Sequence, residues 1–190
     1  MEILRLAWPR ALLMVTFAEG ALAFGALVFV PAYLQARFAL SMGEAGAILA
    51  LYGIGGLVYT RTARRLVRRL GERRLAVLGG GLMALALGGL AFVSTWQWTL
   101  ACCGVAGFGL YALHGALQTH ATQMAPSARG AAMSLFACSL FLGQSIGVLA
   151  AAWTFQRFAA PPLFVGAAAG MFVLTWTFAW LLSRRASSKN

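Results

Sequence analysis

The chain has 190 residues, of which 61% are hydrophobic and 10% charged, with a formal net charge of +11 at pH 7. Ordinary soluble domains carry about a quarter charged residues, and a water-soluble fold of this length cannot hide so much apolar surface. The composition excludes a soluble globular domain and makes the bilayer the solvent to reason with.

A bilayer core about 30 Å thick takes about 20 mostly apolar helical residues to cross, and six such runs follow one another. The first covers residues 11–36 and is interrupted only by Glu19. Arg5 and Arg10 ahead of it, with Ala21-Leu22-Ala23 inside it, also fit a cleaved signal peptide. Apolar sequence runs on to Tyr33, however, so the segment is long enough to stay as an anchor. The second run covers 45–60, short enough that its helix should extend at the N-terminal end, and the third covers 75–93. The fourth, 98–118, contains Cys102 and Cys103, and the fifth, 130–155, contains Cys138. An odd number of cysteines inside spans reads as small buried apolar side chains, not as a disulfide framework. The sixth run covers 162–182. Internal Gly and Pro are tolerated because neighbouring helices resatisfy the backbone. The expected fold is an all-α membrane protein, a single six-transmembrane-helix bundle over residues 1–190.

Segments rich in Lys and Arg beside helix ends stay cytoplasmic. With the N-terminus inside, only Arg37 and Arg157 of the 15 basic residues fall outside, so both termini are expected in the cytoplasm. A basic face beside anionic lipid headgroups accounts for the net charge and gives no ground for a nucleic-acid partner.

Side-chain inventory argues against catalysis. There is no Asp, the acids are Glu2, Glu19, Glu44 and Glu72, and the histidines are His114 and His120. Six residues apart on a helix, those histidines face different directions, so no paired metal site of the i, i+4 kind forms. An intramembrane serine protease would need a Gly-x-Ser-Gly setting and a later His, and neither is present. No enzyme activity, catalytic residue, metal site or cofactor is expected.

Polar groups inside the spans carry the remaining signal. A carboxylate in a transmembrane helix costs about 2.5–3.5 kcal/mol on insertion scales, so it faces protein or a water-filled cavity. Glu19 is the only such acid, and helical periodicity puts Leu12, Thr16, Ala23 and Ala26 on its face, with Leu13, Phe17, Phe24 and Val28 opposite. It reads either as a proton-responsive group or as a structural acid bonded to another helix. In the fourth run Gly107, Tyr111, His114 and Gln118 recur along one face, a row that lines an aqueous path or holds the bundle together by interhelical hydrogen bonds. Glu19 and His114 fall at comparable depth, and a desolvated carboxyl beside an imidazole can pass or hold a proton. Gln144 lies in Gly143-Gln144-Ser145-Ile146-Gly147, whose glycines fit close helix packing; Gln144 itself reads equally as cavity lining or packing.

Runs one to three and four to six form triplets of opposite membrane orientation, the three-plus-three inverted repeat found in many secondary carriers. Between the second and third runs stands Arg64-Arg65-Leu66-Val67-Arg68-Arg69-Leu70-Gly71-Glu72-Arg73-Arg74. It is similar to the loop Gly-x-x-x-Asp-Arg-x-Gly-Arg-Arg of the major facilitator superfamily: Arg69, Gly71, Arg73 and Arg74 fit, while Arg64 and Arg68 replace the Gly and Asp. Pro126-Ser127-Ala128-Arg129-Gly130 resembles the Pro-x-x-x-Arg-Gly turn before the eleventh helix of those carriers. With Ala18-Glu19-Gly20 and the segment Gln118-Thr119-His120-Ala121-Thr122-Gln123-Met124-Ala125, the chain resembles the carboxyl-terminal half of such a transporter, most similar to the drug/proton antiporter branch.

The resemblance implies a bacterial-type inner-membrane component that exports small organic molecules or drugs in exchange for protons. Its implied partners are membrane lipids, protons, the small-molecule substrate and a second six-helix bundle, either a missing amino-terminal half or another copy. Arg69, Gly71, Arg73, Arg74, Arg129 and Gly130 would gate on the cytoplasmic side, Glu19 and His114 would couple protons, and Tyr111, Gln118 and Gln144 would line the path. The alternative is a non-transporting membrane fragment or assembly subunit whose polar residues serve only helix packing.

Overall fold

The computed structural model describes residues 3–158 and 160–187, the last two by backbone alone; Glu2 and Lys189 lie outside the described residues. Five helices among them are long and apolar enough to cross a membrane. These are α1 (Ala7–Phe38), α2 (Met42–Phe92), α3 (Gln97–Gln123), α4 (Arg129–Phe158) and α5 (Ala160–Ser187). Six runs were expected, and the difference lies in α2, where the second and third runs are joined without a loop.

The two arms of α2 are nevertheless distinct in direction. A helix of 51 residues would be about 77 Å long at 1.5 Å per residue, more than twice the hydrocarbon thickness. Its helical geometry is interrupted at Gly71, where φ is 73° and ψ 164°. On a straight helix Tyr52 and Gly79 would stand about 40 Å apart. Yet the Tyr52 backbone lies against Gly107 and Gly79 against Gly109, positions only about 3 Å apart along α3. The chain therefore doubles back at Gly71, and the arms 42–70 and 72–92 lie on either side of α3. Nothing lies within 4 Å of the place a Gly71 Cβ would occupy. Glycine is required there by its backbone angles, which L side chains rarely adopt, and not by crowding.

Local chemistry sets the other boundaries. Pro31 has no N–H and its ring crowds the carbonyl of Leu27. Helix α1 accommodates it with a turn at 28–29, where the Phe29 N–H donates to the Ala26 carbonyl at 3.1 Å, and then resumes over Val30–Phe38. Earlier in the same helix, Gly20–Phe24 form a π-helical turn directly after Glu19. Helix α2 begins at Met42 because Ser41 and Glu44 make a reciprocal cap: the Ser41 N–H donates to Glu44 Oε2 at 2.8 Å and the Glu44 N–H to Ser41 Oγ at 3.3 Å. A 3-10 turn at Pro126–Ala128 leads into α4.

Apolar side chains gain little by leaving lipid for protein, so helix association here depends on close packing. Gly143 and Gly147 of α4 lie against the backbone of Phe17 and Ala21 in α1, which makes that pair of glycines a packing device. Phe164 and Phe178 of α5 are fully buried with Met83, Leu87 and Leu90 from the second arm of α2. Leu85, Phe92, Leu149, Trp153 and Val173 stay exposed, as an outer surface bathed in acyl chains allows.

Candidate functional site: a buried acid–imidazole pair beside an aromatic cleft

Glu19 sits where α1 passes from α-helical to π-helical winding, and its side chain is completely buried. The sequence-predicted face is buried with it: Leu12, Thr16, Ala23 and Ala26 are each at most 1% exposed. Glu19 Oε2 lies 3.0 Å from Nδ1 of His114 on α3. Its other oxygen, Oε1, is buried with no hydrogen-bond partner. The imidazole packs against Phe136 of α4, with ring centroids 5.3 Å apart.

This geometry holds one proton in two ways. Either the imidazole donates to a carboxylate, or a neutral carboxyl donates to an unprotonated Nδ1. His114 is 28% exposed whereas Glu19 is not exposed at all, so the imidazole stands between the acid and the space outside. That space is a cleft of about 510 Å³ lined by His114, Tyr111 and Gln118 of α3, Tyr52, Tyr59 and Thr60 of α2, Phe24 of α1 and Leu140 of α4.

The structure thus brings Glu19, His114, Tyr111 and Gln118 together. Gln144 is not among the residues lining this cleft; it sits on the α4 face whose backbone approaches Gly20.

Sequence reasoning missed Tyr52 and Tyr59. Their signal was available: Tyr52, Gly56 and Tyr59 repeat at i, i+4 and i+7, the same spacing as Gly107, Tyr111 and His114. The two stripes interlock, with the Tyr52 backbone on Gly107, the Tyr111 ring on Gly56 and the Tyr59 hydroxyl near Gly115. The rings of Tyr52 and Tyr111 also meet, with centroids 6.1 Å apart.

The predicted loop residues lie apart from the cleft. Arg69, Arg73 and Arg74 are exposed around the Gly71 turn, and Arg129 and Gly130 are exposed at the start of α4. Beside the turn, Glu72 Oε2 lies 3.2 Å from His120 Nε2. The His120 ring meets the rings of Trp8 at 5.5 Å and Phe178 at 6.0 Å, and the Arg185 guanidinium lies 4.3 Å over Trp8. These contacts gather the start of α1, the Gly71 turn and the ends of α3 and α5 at one end of the bundle.

Several helices long and apolar enough to cross a membrane, enclosing a polar pair beside a cleft, define a membrane-protein bundle with a candidate site inside it. The sequence profile of the Major Facilitator Superfamily matches residues 12–190, and the chain belongs to that family. It is 33% identical over 111 residues to the uncharacterized MFS-type transporter YfkF of Bacillus subtilis (strain 168), a match covering 55% of this chain and 28% of that protein. A crystal structure of a mutant of the peptide transporter POT, in complex with alafosfalin, superposes with a TM-score of 0.76 at 19% identity. That superposition covers 94% of this chain and 38% of the transporter, and it establishes the fold. The chain spans well under half the length of both proteins. As a member of a transporter family it is not an enzyme.

Proposed function

We propose that this chain is one bundle of a proton-coupled exporter of small organic molecules, of the drug/proton antiporter kind, in which Glu19 and His114 load and release the proton. The observation that carries the reading is a fully buried carboxyl 3.0 Å from an imidazole that itself lines a cleft. A proton reaching Glu19 from the cleft passes through His114, which exchanges it between its two ring nitrogens. The orphaned Oε1 of Glu19 supports a group whose partner changes during the cycle.

In this reading the arms of α2 are two spans, giving six helices as a three-plus-three inverted repeat in a single domain, the carboxyl-terminal half of the carrier. The end carrying Arg69, Arg73, Arg74, Arg129, Arg184 and Arg185 faces the cytoplasm, with both termini there, in a bacterial-type inner membrane. Gly71 with its arginines, and Arg129 with Gly130, control how the helices move at that end. A second six-helix bundle, from the amino-terminal half or another copy, closes the open side of the cleft.

The test is an imposed pH gradient across proteoliposomes of the complete carrier. Substrate accumulation should follow the gradient in the wild type and fall to background in Glu19→Gln, with folding and substrate binding retained. Normal gradient-driven transport in that variant would leave the pair as an interhelical hydrogen bond tying α1 to α3.

A further inference from the structure

We infer that the cleft binds flat, uncharged aromatic ring systems bearing a hydrogen-bonding group at one edge, with Tyr111 as the stacking platform. The inference rests on reading the cleft as the substrate site of a carrier, and names the substrate class of that site.

Tyr111 is 42% exposed, whereas Tyr59 beside it is only 7% exposed. Its ring seats against α2 because residue 56 is glycine: a Cβ there would stand 2.7–2.9 Å from three atoms of the ring. Tyr52 meets the same ring at a centroid distance of 6.1 Å and an interplanar angle of 60°, a tilted contact that leaves part of the Tyr111 ring available to a guest. Phe24 of α1 and Leu140 of α4 complete the apolar walls. A slot with a partly exposed ring and apolar walls favours a planar guest over a saturated one of equal volume.

The polar groups are set to one end. The contacts of Tyr52 with Gly107, Gly56 with Tyr111 and Tyr59 with Gly115 run in step, so the first arm of α2 and α3 are parallel. Thr60 and Gln118 therefore lie together, about 10 Å beyond Tyr111 along α3. The Gln118 amide is exposed and makes no hydrogen bond among the described residues, and the Thr60 hydroxyl already donates to the Leu57 carbonyl, leaving its oxygen to accept. An edge carbonyl or N–H on the guest fits these groups.

Charge counting sets the last property. The lining side chains are neutral apart from the pair formed by His114 with Glu19 behind it. With one proton on that pair the sum is zero in either arrangement, carboxyl with imidazole or carboxylate with imidazolium. In that proton-loaded state a charged guest would leave water for a site holding no counter-ion, which is unfavourable.

The test is equilibrium binding to the chain in phosphatidylcholine nanodiscs at acidic pH, with the pair proton-loaded and values corrected for empty discs; acridone is the flat uncharged probe, N-methylacridinium its cationic counterpart and the fully saturated tricyclic ketone perhydro-9-anthrone the uncharged saturated one. Acridone should bind about tenfold or more tightly than either counterpart. Tyr111→Leu should weaken acridone about tenfold, the upper range for an aromatic contact, and Tyr111→Phe should stay within about twofold of wild type. Gly56→Ala should weaken it as Tyr111→Leu does, by displacing the ring without removing any ligand group. Equal affinity for acridone and N-methylacridinium in the wild type overturns the inference, as does unchanged acridone binding in a folded Tyr111→Leu. Neither readout involves proton flux. Loss of the inference with Glu19→Gln still uncoupled leaves the carrier reading standing, and the converse pattern leaves the binding class standing.

Discussion

The chain holds two glutamate–histidine contacts of nearly equal length, 3.0 Å for Glu19–His114 and 3.2 Å for Glu72–His120, in opposite surroundings. In the first the acid is fully buried and the imidazole partly open to a cleft. In the second the acid is 44% exposed and the imidazole 11% exposed, wedged between Trp8 and Phe178. Which partner meets the outside decides what each pair can do. In the proposed function an imidazole at the mouth is the conduit to a hidden carboxyl, whereas a carboxylate at the mouth only tethers an already packed ring, screened by water and salt. Distance alone does not separate a working pair from a fastening.

The largest expected difference lies in transport. In the complete carrier Glu72→Gln should keep gradient-driven accumulation within about twofold of wild type, an effect under about 0.5 kcal/mol, while Glu19→Gln should reduce it to background. Comparable losses in both would erase the distinction between the two pairs. Next comes stability. His114→Ala strands a buried acid and should lower unfolding free energy by about 3–5 kcal/mol, against about 0–1 kcal/mol for Glu72→Gln, read from denaturant titrations in detergent micelles.

Gly71 next to the exposed pair ranks third. Forcing a side chain into its backbone conformation should cost about 1–3 kcal/mol, so Gly71→Leu should slow transport while protease protection shows normal membrane insertion. Full rates in that variant would reduce the turn to a topological marker.

The smallest effect belongs to Glu44, a carboxylate whose partner is a hydroxyl. Hydrogen bonds from the Ser41 side chain and backbone hold its carboxyl below the ordinary value of 4.5. A group with a depressed folded-state pKa contributes stability that is fully present above the unfolded value and lost as pH falls through the folded one. Melting temperature should therefore drop slightly as pH falls below about 4.5, and Glu44→Gln should flatten that drop. An unchanged slope would show that the exposed cap contributes nothing measurable.

Much of the helical architecture was legible because apolar length is a composition signal. Glu19 stood out as the lone acid in an apolar run, and its buried face followed from periodicity. The start of α2 at Met42 was legible too, but in Ser41-Met42-Gly43-Glu44, a capping signature that hydropathy does not register. Residues 61–70 belong to no apolar run, yet they continue the first arm of α2 as helix, because arginine is a good helix former. The pairing of Glu19 with His114 was reachable only as equal depth. Tyr52 and Tyr59 escaped because a stripe on one helix gains meaning only from the stripe it faces. The backbone angle at Gly71 has no sequence signature beyond the glycine itself.

The π-turn at Gly20–Phe24 holds one residue more than a regular helical turn would, so it acts as an insertion written into the winding of α1. Everything past Phe24 is rotated by about 100° relative to a straight continuation. The stretch carrying Glu19 and the stretch carrying Pro31 are thereby set to different phases. The aim of the carboxyl at His114 and the seating of the distal half of α1, with Tyr33 against Phe164, become separate variables joined by one loosely wound turn.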